Sequence, residues 1–243
     1  MTTKKMFPTI GFDRHIKIEW IAAAARIRLG TGSVEELNFL LDQADLGKEA
    51  RIKNQTKINA LVLDPKPALK DFIDRGLHLF NKPTTIAGMA PFAWGAAIAM
   101  YPYFAKVAEI IGRLTALQGD CATSELHRRM RESYGERKNV TNATQLVLQT
   151  QIDWGGVQRV KAGNRLVCLP PRLISQQEQA GWLIEAMARY FGKAIPLELV
   201  QSSPVIYPFR LDVSIAYVAA NCPQLELRTE GAGQRFVCLH DAT

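Results

Sequence analysis

The chain has 243 residues, a formal net charge of +7 and a pI of about 9.3, with 47% apolar and 22% charged residues. That balance excludes a disordered or fibrous chain, and its basic sign points to a polyanionic partner without specifying a fold. The four cysteines, Cys121, Cys168, Cys222 and Cys238, contain no C-x-x-C pair, which excludes a locally spaced zinc site and a disulfide framework.

Met1 to Pro8 lacks the apolar run of a signal peptide, so a cytoplasmic location is expected. From Asp13 to Leu29, residues Ile16, Trp20, Ile21, Ala24 and Ile27 recur at helical spacing, and Gly30 to Gly32 breaks the pattern. Ser33-Val-Glu-Glu36 predicts a capping box: the hydroxyl takes an orphan amide while Glu36 reaches back. Its helix runs towards Gln43. The G-x-G at Gly30 and Gly32 has neither a third glycine nor a preceding strand, which excludes a dinucleotide loop. A basic helix from Gly47 to Leu63 carries Lys48, Arg51, Lys53 and Lys57, and further helices are expected over Ala68–Phe80 and Ala90–Met100. Pro83 to Ala105 is uncharged and long enough to cross a bilayer. It is rich in Ala, Gly and Thr and interrupted by Pro91 and Pro102, so it predicts a buried core helix and no membrane association.

The middle of the chain changes character. Val107, Ile110, Ile111 and Leu114 fall at i, i+3, i+4 and i+7 of an amphipathic helix over Phe104–Leu117. A second helix spans Ser124–Tyr134, with Leu126, Met130 and Tyr134 on one stripe and Gly135 as its stop. A third spans Thr141–Trp154 and ends at Gly155-Gly156. Val157–Val160, a turn at Lys161–Asn164 and Arg165–Leu169 predict a β-hairpin, closed by Pro170-Pro171. Charge concentrates here: Ala122 to Arg172 holds nine Lys and Arg against four Asp and Glu, a net of +5.

In the last part, Ser175-Gln-Gln-Glu178 predicts another capping box, opening a helix that ends at Phe191. Short helices near Pro196–Gln201 and Asp212–Asn221 flank an irregular Ser203–Pro208. Leu225–Glu230 and Gln234–Leu239 form a final hairpin. Ala162-Gly-Asn-Arg-Leu-Val-Cys-Leu169 is echoed by Ala232-Gly-Gln-Arg-Phe-Val-Cys-Leu239, which suggests tandem modules. Leu173 to Thr243 carries a net of −2, which argues against its lying on phosphates and makes it the candidate for a protein partner.

The order of three helices and a hairpin over Val107–Leu169 resembles the winged-helix superfamily. In that fold the second helix of the helix-turn-helix enters the major groove, and the hairpin is the wing. The resemblance implies that Thr141, Asn142, Gln145 and Gln149, on one arc of the third helix, face base edges. Ala143, Val147 and Trp154 lie opposite and would pack on the first helix. Arg137 and Lys138 just before that helix, Arg128, Arg129 and Arg131 on the second, and Arg159, Lys161 and Arg165 on the wing would meet phosphate. A helical start, the basic helix at Lys48–Leu63, the apolar Phe92–Ile111 stretch and a winged helix near Asn142–Arg165 together resemble the order in the BrxA family of BREX phage-defence systems, which is associated with DNA binding. No motif of that family is matched residue by residue, so no site residue is carried over.

The expected fold is therefore mainly α with small β-hairpins. A helical domain (residues 1–102) precedes a winged-helix DNA-binding domain (103–172) and a candidate C-terminal winged-helix-like module (173–243). No enzyme signature is found: there is no G-x-x-x-x-G-K, H-E-x-x-H or G-x-S-x-G, and His15, His78, His127 and His240 are isolated from one another in sequence. Asp212 with Glu226-Leu-Arg228 resembles a metal-dependent nuclease motif only with Arg where Lys is usual. The expected function is duplex-DNA binding, accessory or regulatory, with no catalytic residue, metal or cofactor. The alternative is a winged-helix protein-interaction adaptor, because fold does not fix function.

Overall fold

A computed structural model describes residues 7–80, 86–160, 164–231 and 233–240. Eleven α-helices and three small sheets are formed among them. The N-terminal part contains α1 (Ile18–Arg28), α2 (Val34–Asp42), α3 (Lys48–Ile58), which runs into a π turn at Asn59–Leu63, α4 (Pro67–Leu79) and α5 (Ala90–Met100). Ser33 caps α2, its hydroxyl accepting from the Glu36 amide at 3.3 Å. The expected return bond from Glu36 is not made, because its carboxylate pairs with Arg26 instead. The expected start of α1 at Asp13 moves to Ile18, since the chain before it is tied to a distant helix described below.

The uncharged stretch becomes α5, buried on every side from Ala90 to Ile98. The helix breaks at Tyr101 before the next begins at Pro102. Among the described residues, no helix is long and apolar enough to cross a membrane. The small side chains of α5 have a packing purpose: Gly95 and, on α4, Gly76 leave no room for a Cβ against the Trp182 ring. Trp182 stacks on Phe72 with centroids 4.4 Å apart and donates from Nε1 to the Phe72 carbonyl at 2.8 Å.

A common element order then occurs twice. The first unit is α6 (Pro102–Gln118), β1 (Cys121–Ala122), α7 (Thr123–Tyr134), α8 (Lys138–Asp153), β2 (Val157–Arg159) and β3 (Arg165–Cys168). Its antiparallel sheet has the order β1-β3-β2. After β4 (Arg172–Ile174), the second unit contains α9 (Gln177–Phe191), β5 (Ile195–Pro196), α10 (Leu197–Val200), β6 (Phe209–Leu211), α11 (Ile215–Asn221), β7 (Leu225–Glu230) and β8 (Gln234–Leu239). Its antiparallel sheet has the order β5-β8-β7, so the sequence echo falls on the middle strand of each sheet. The second unit differs in its four-residue α10 and in β6, which leaves the unit to pair in parallel with β4.

The expected capping box at Ser175 is not formed. Pairing of β4 with β6 holds the chain extended through Ile174, Gln176 becomes the N-cap, and no side chain caps the helix. One hydrophobic cluster runs from Phe12 through all these elements to Val237. On its margin the Glu185 side chain is fully buried, with both oxygens bonded to Arg75 at 2.9 Å and one to Arg189 at 2.7 Å.

Candidate nucleic-acid interface

The interface expected from sequence is built on α7, α8 and the β2–β3 hairpin. Leu126, Met130 and Tyr134 form the buried stripe of α7. Tyr103 of α6 links all three helices: its ring meets Tyr134 edge-on at 4.6 Å, and its hydroxyl lies 2.8 Å from the Val140 carbonyl and 2.7 Å from the Thr144 hydroxyl. Burial raises the Tyr103 pKa to about 12, so the phenol remains a donor. The backbone amide and hydroxyl of Thr123 both donate to the Asn164 carbonyl, at 2.7 and 2.8 Å, which fixes the start of α7 to the start of β3.

The third helix begins three residues earlier than its sequence pattern suggests. Arg137 is the N-cap, without a capping side chain, and Lys138 opens α8. Ala143, Val147 and Trp154 are buried, and the Trp154 ring lies 5.4 Å from Phe104 of α6. Lys138, Asn139, Asn142, Gln149 and Asp153 are exposed, flanked by half-buried Thr141, Gln145, Leu146 and Ile152. Leu148, at the border of the expected polar arc, is fully buried.

The N-terminal chain lies along one side of α8. Phe7 packs at Gly135, whose φ of 89° and lack of a Cβ admit the ring. Further on, the Ile16 amide donates to the Thr150 hydroxyl at 3.0 Å and the Ile18 amide to Asp153 Oδ1 at 2.8 Å. Trp154 Nε1 donates to the Ile16 carbonyl at 2.8 Å. His15 stands 3.7 Å from the Asp153 carboxylate. The last turn of α8 is therefore occupied, and among the described residues its first half is exposed at Lys138, Asn139 and Asn142.

The cations divide into two sets. Arg128 lies between Glu125 and Glu132, and Arg129 donates to Glu125 at 2.6 Å. These arginines pull the Glu125 pKa down to about 2. Arg165 grips Asp120 through two bonds and holds that carboxyl below its usual range. Arg137 turns back to donate to the Tyr134 carbonyl at 2.8 Å. Arg131, Lys138 and Arg159 form no ion pair among the described residues. Lys161 lies outside the described residues.

His127 sits one turn before Arg131 on α7, and burial first, then the charges of Arg131 and Arg159, hold its pKa below the usual value. Sequence reasoning missed two residues here. A helix read as starting at Thr141 leaves out Asn139, which lies in the first turn of α8. His127 is isolated in sequence from the other histidines, but its i, i+4 spacing to Arg131 puts both on one helix face.

The basic helix α3 is more fully paired, although its Lys48 forms no ion pair among the described residues. On α3, Arg51 meets Asp42 at 2.9 Å, Lys53 meets Glu49, and Lys57 donates to the Gly11 carbonyl at 2.6 Å. In the second unit, Arg228 donates to Glu226 at 2.8 Å. Among the described residues, no three His, Cys, Asp or Glu side chains are gathered as for a metal ion. The chain matches no protein-family model, no curated protein and no solved structure.

Proposed function

We propose that this chain binds duplex DNA as an accessory or regulatory protein, and that α6 to β3 act as a winged helix. In this reading α8 enters the major groove and β2–β3 are the wing. The carrying observation is that Arg131 on α7, Lys138 on α8 and Arg159 on β2 have no ion-pair partner among the described residues, that α7 and β2 both pack on α8, and that Asn139 and Asn142 are exposed in its first half. Unpaired cations release condensed counterions on meeting phosphate, and amides match base-edge donors and acceptors. The second unit is read as a winged-helix-like counterpart, kept off phosphate by its net charge of −2 and available to a protein partner. Phage defence is the setting that the BrxA resemblance implies for such binding.

The test is a salt series of binding to random-sequence duplex. Changing Arg131, Lys138 or Arg159 to Ala should weaken binding and flatten the slope of log K against log salt by about 0.9 per lost phosphate contact. Arg165→Ala should do less, because Asp120 already matches that charge. A folded Arg131→Ala, Arg159→Ala double variant with unchanged affinity and slope would refute the assignment. Absence of any DNA binding by the unmodified protein would instead favour the adaptor reading.

A further inference from the structure

We propose that a cleft between the two units binds a small organic anion, a molecule with one acidic head and an apolar body. The proposal does not rest on the DNA-binding reading, and the cleft shares no residue with the surface of α7, α8 and β2. It has a volume of about 730 Å3 and lies between the second half of α6 and the chain from Gln201 to Arg210. Small-molecule sites span roughly 300–1,000 Å3. The two sides are held together by close packing and by a buried bond. Gly112 of α6 leaves no room for a Cβ against the Pro204 carbonyl, and the Tyr207 hydroxyl donates to Gln151 Oε1 at 3.1 Å. Tyr207 and Phe209 supply apolar lining, and Ala116 and Leu117 of α6 line the cleft while exposed, Leu117 at 79%.

The charge of the cleft has one sign. Arg113 from α6 and Arg210 from β6 both line it, and among the described residues no carboxylate does. Arg210 is exposed on β6, opposite Leu173 of β4, and forms no ion pair among the described residues. Arg113 meets Glu109 at 2.7 Å, but that carboxylate also takes Lys106 at 3.0 Å and the Tyr190 hydroxyl at 3.1 Å. One negative charge is thus shared by two cations, and the Arg113 side chain stays 56% exposed. Each guanidinium can fork its N–H donors onto the oxygens of a carboxylate or phosphate. The apolar lining gains by shedding water onto a hydrocarbon or aromatic body. A neutral apolar molecule would leave the arginines unmatched, and inorganic phosphate would leave the lining wet, so the chemistry that fits combines the two.

The experiment is calorimetric titration of the full-length protein with hexanoate, octanoate and decanoate, and with octyl phosphate, which keeps the octanoate-sized body and changes the head. One saturable site is expected, and each methylene that is buried should tighten binding by up to about fourfold. Arg113→Gln and Arg210→Gln should each weaken every member of the series by the same factor, up to about fivefold, while the dependence on chain length stays. Arg113→Gln leaves Glu109 with Lys106 and Tyr190, so the fold should survive it. Ala116→Glu, which supplies the carboxylate that the cleft lacks, should weaken binding as well. Tighter binding of octanoate or of octyl phosphate supports the proposal in either order and names the head. Affinities unchanged in a folded Arg113→Gln, Arg210→Gln double variant overturn it, because the anion then sits elsewhere. Octanol binding as tightly as octanoate overturns it too, because charge then plays no part. Absence of saturable binding by the unmodified protein to all four probes also overturns it, and leaves the DNA-binding reading untouched.

Discussion

Glu185 joins α4 to α9 beside the Trp182–Phe72 stack. Its side chain is fully buried, and both oxygens are taken by guanidiniums that are themselves about a quarter exposed. Removing the carboxylate would leave Arg75 and Arg189 facing each other over a buried void. Glu185→Ala should cost about 3–5 kcal/mol, the range for breaking one side of a buried ion pair. Urea denaturation measures this. A loss below about 1 kcal/mol would mean the cluster behaves as an exposed pair. Nothing in the local sequence announces this cluster, since Arg75 and Glu185 are 110 positions apart. Charge patterning along a helix sees i, i+4 partners such as Arg189, and a buried glutamate on an amphipathic helix reads as a solvated one.

At the level of elements, periodicity located most helices because burial sets it. The limits of α5, β7 and β8 fall where their apolar patterns place them. What it missed was set by distant partners. The two-residue β1 exists only through pairing with β3, and β4 only through β6, so neither carries a pattern of its own. The start of α8 departs from its sequence pattern for a different reason. Thr141 and Asn142 have the chemistry of capping residues, but the helix begins at Lys138 without a capping side chain. The consequence for the candidate site is that Asn139 joins Asn142 on the exposed face, one turn apart. Changing either to Ala should cost about 1–3 kcal/mol on a preferred DNA site for each good base contact, and little on random DNA. Competition between selected and random duplexes separates the two. Equal losses on both would make these residues phosphate or shape contacts. The exposed first half of α8 was legible as a polar arc, but the division of arginines into paired and unpaired depended on rotamers and on Asp120, which no helical spacing relates to Arg165.

Across the whole molecule, one core joins parts that composition and charge divide in three. The contacts that bind the N-terminal chain to α8 are among the most distant in sequence, with the Ile16–Thr150 and Ile16–Trp154 bonds spanning 134 and 138 positions. Contacts of such separation form late, because the loop between them must close first. During synthesis residues 7–17 leave the ribosome long before the helix they lie against. They must wait while α1 to α7 are made, with Phe12 and Ile16, both fully buried in the finished protein, uncovered for that interval. On stalled nascent chains, trypsin should cut after Arg14 and Lys17 until Trp154 has cleared the exit tunnel, and should be blocked there afterwards. Protection at a shorter chain length would mean that another element shelters the segment first. The helix proposed to read DNA is thus also the seal on residues 7–17, and its completion marks the time at which that segment of the nascent protein becomes resistant.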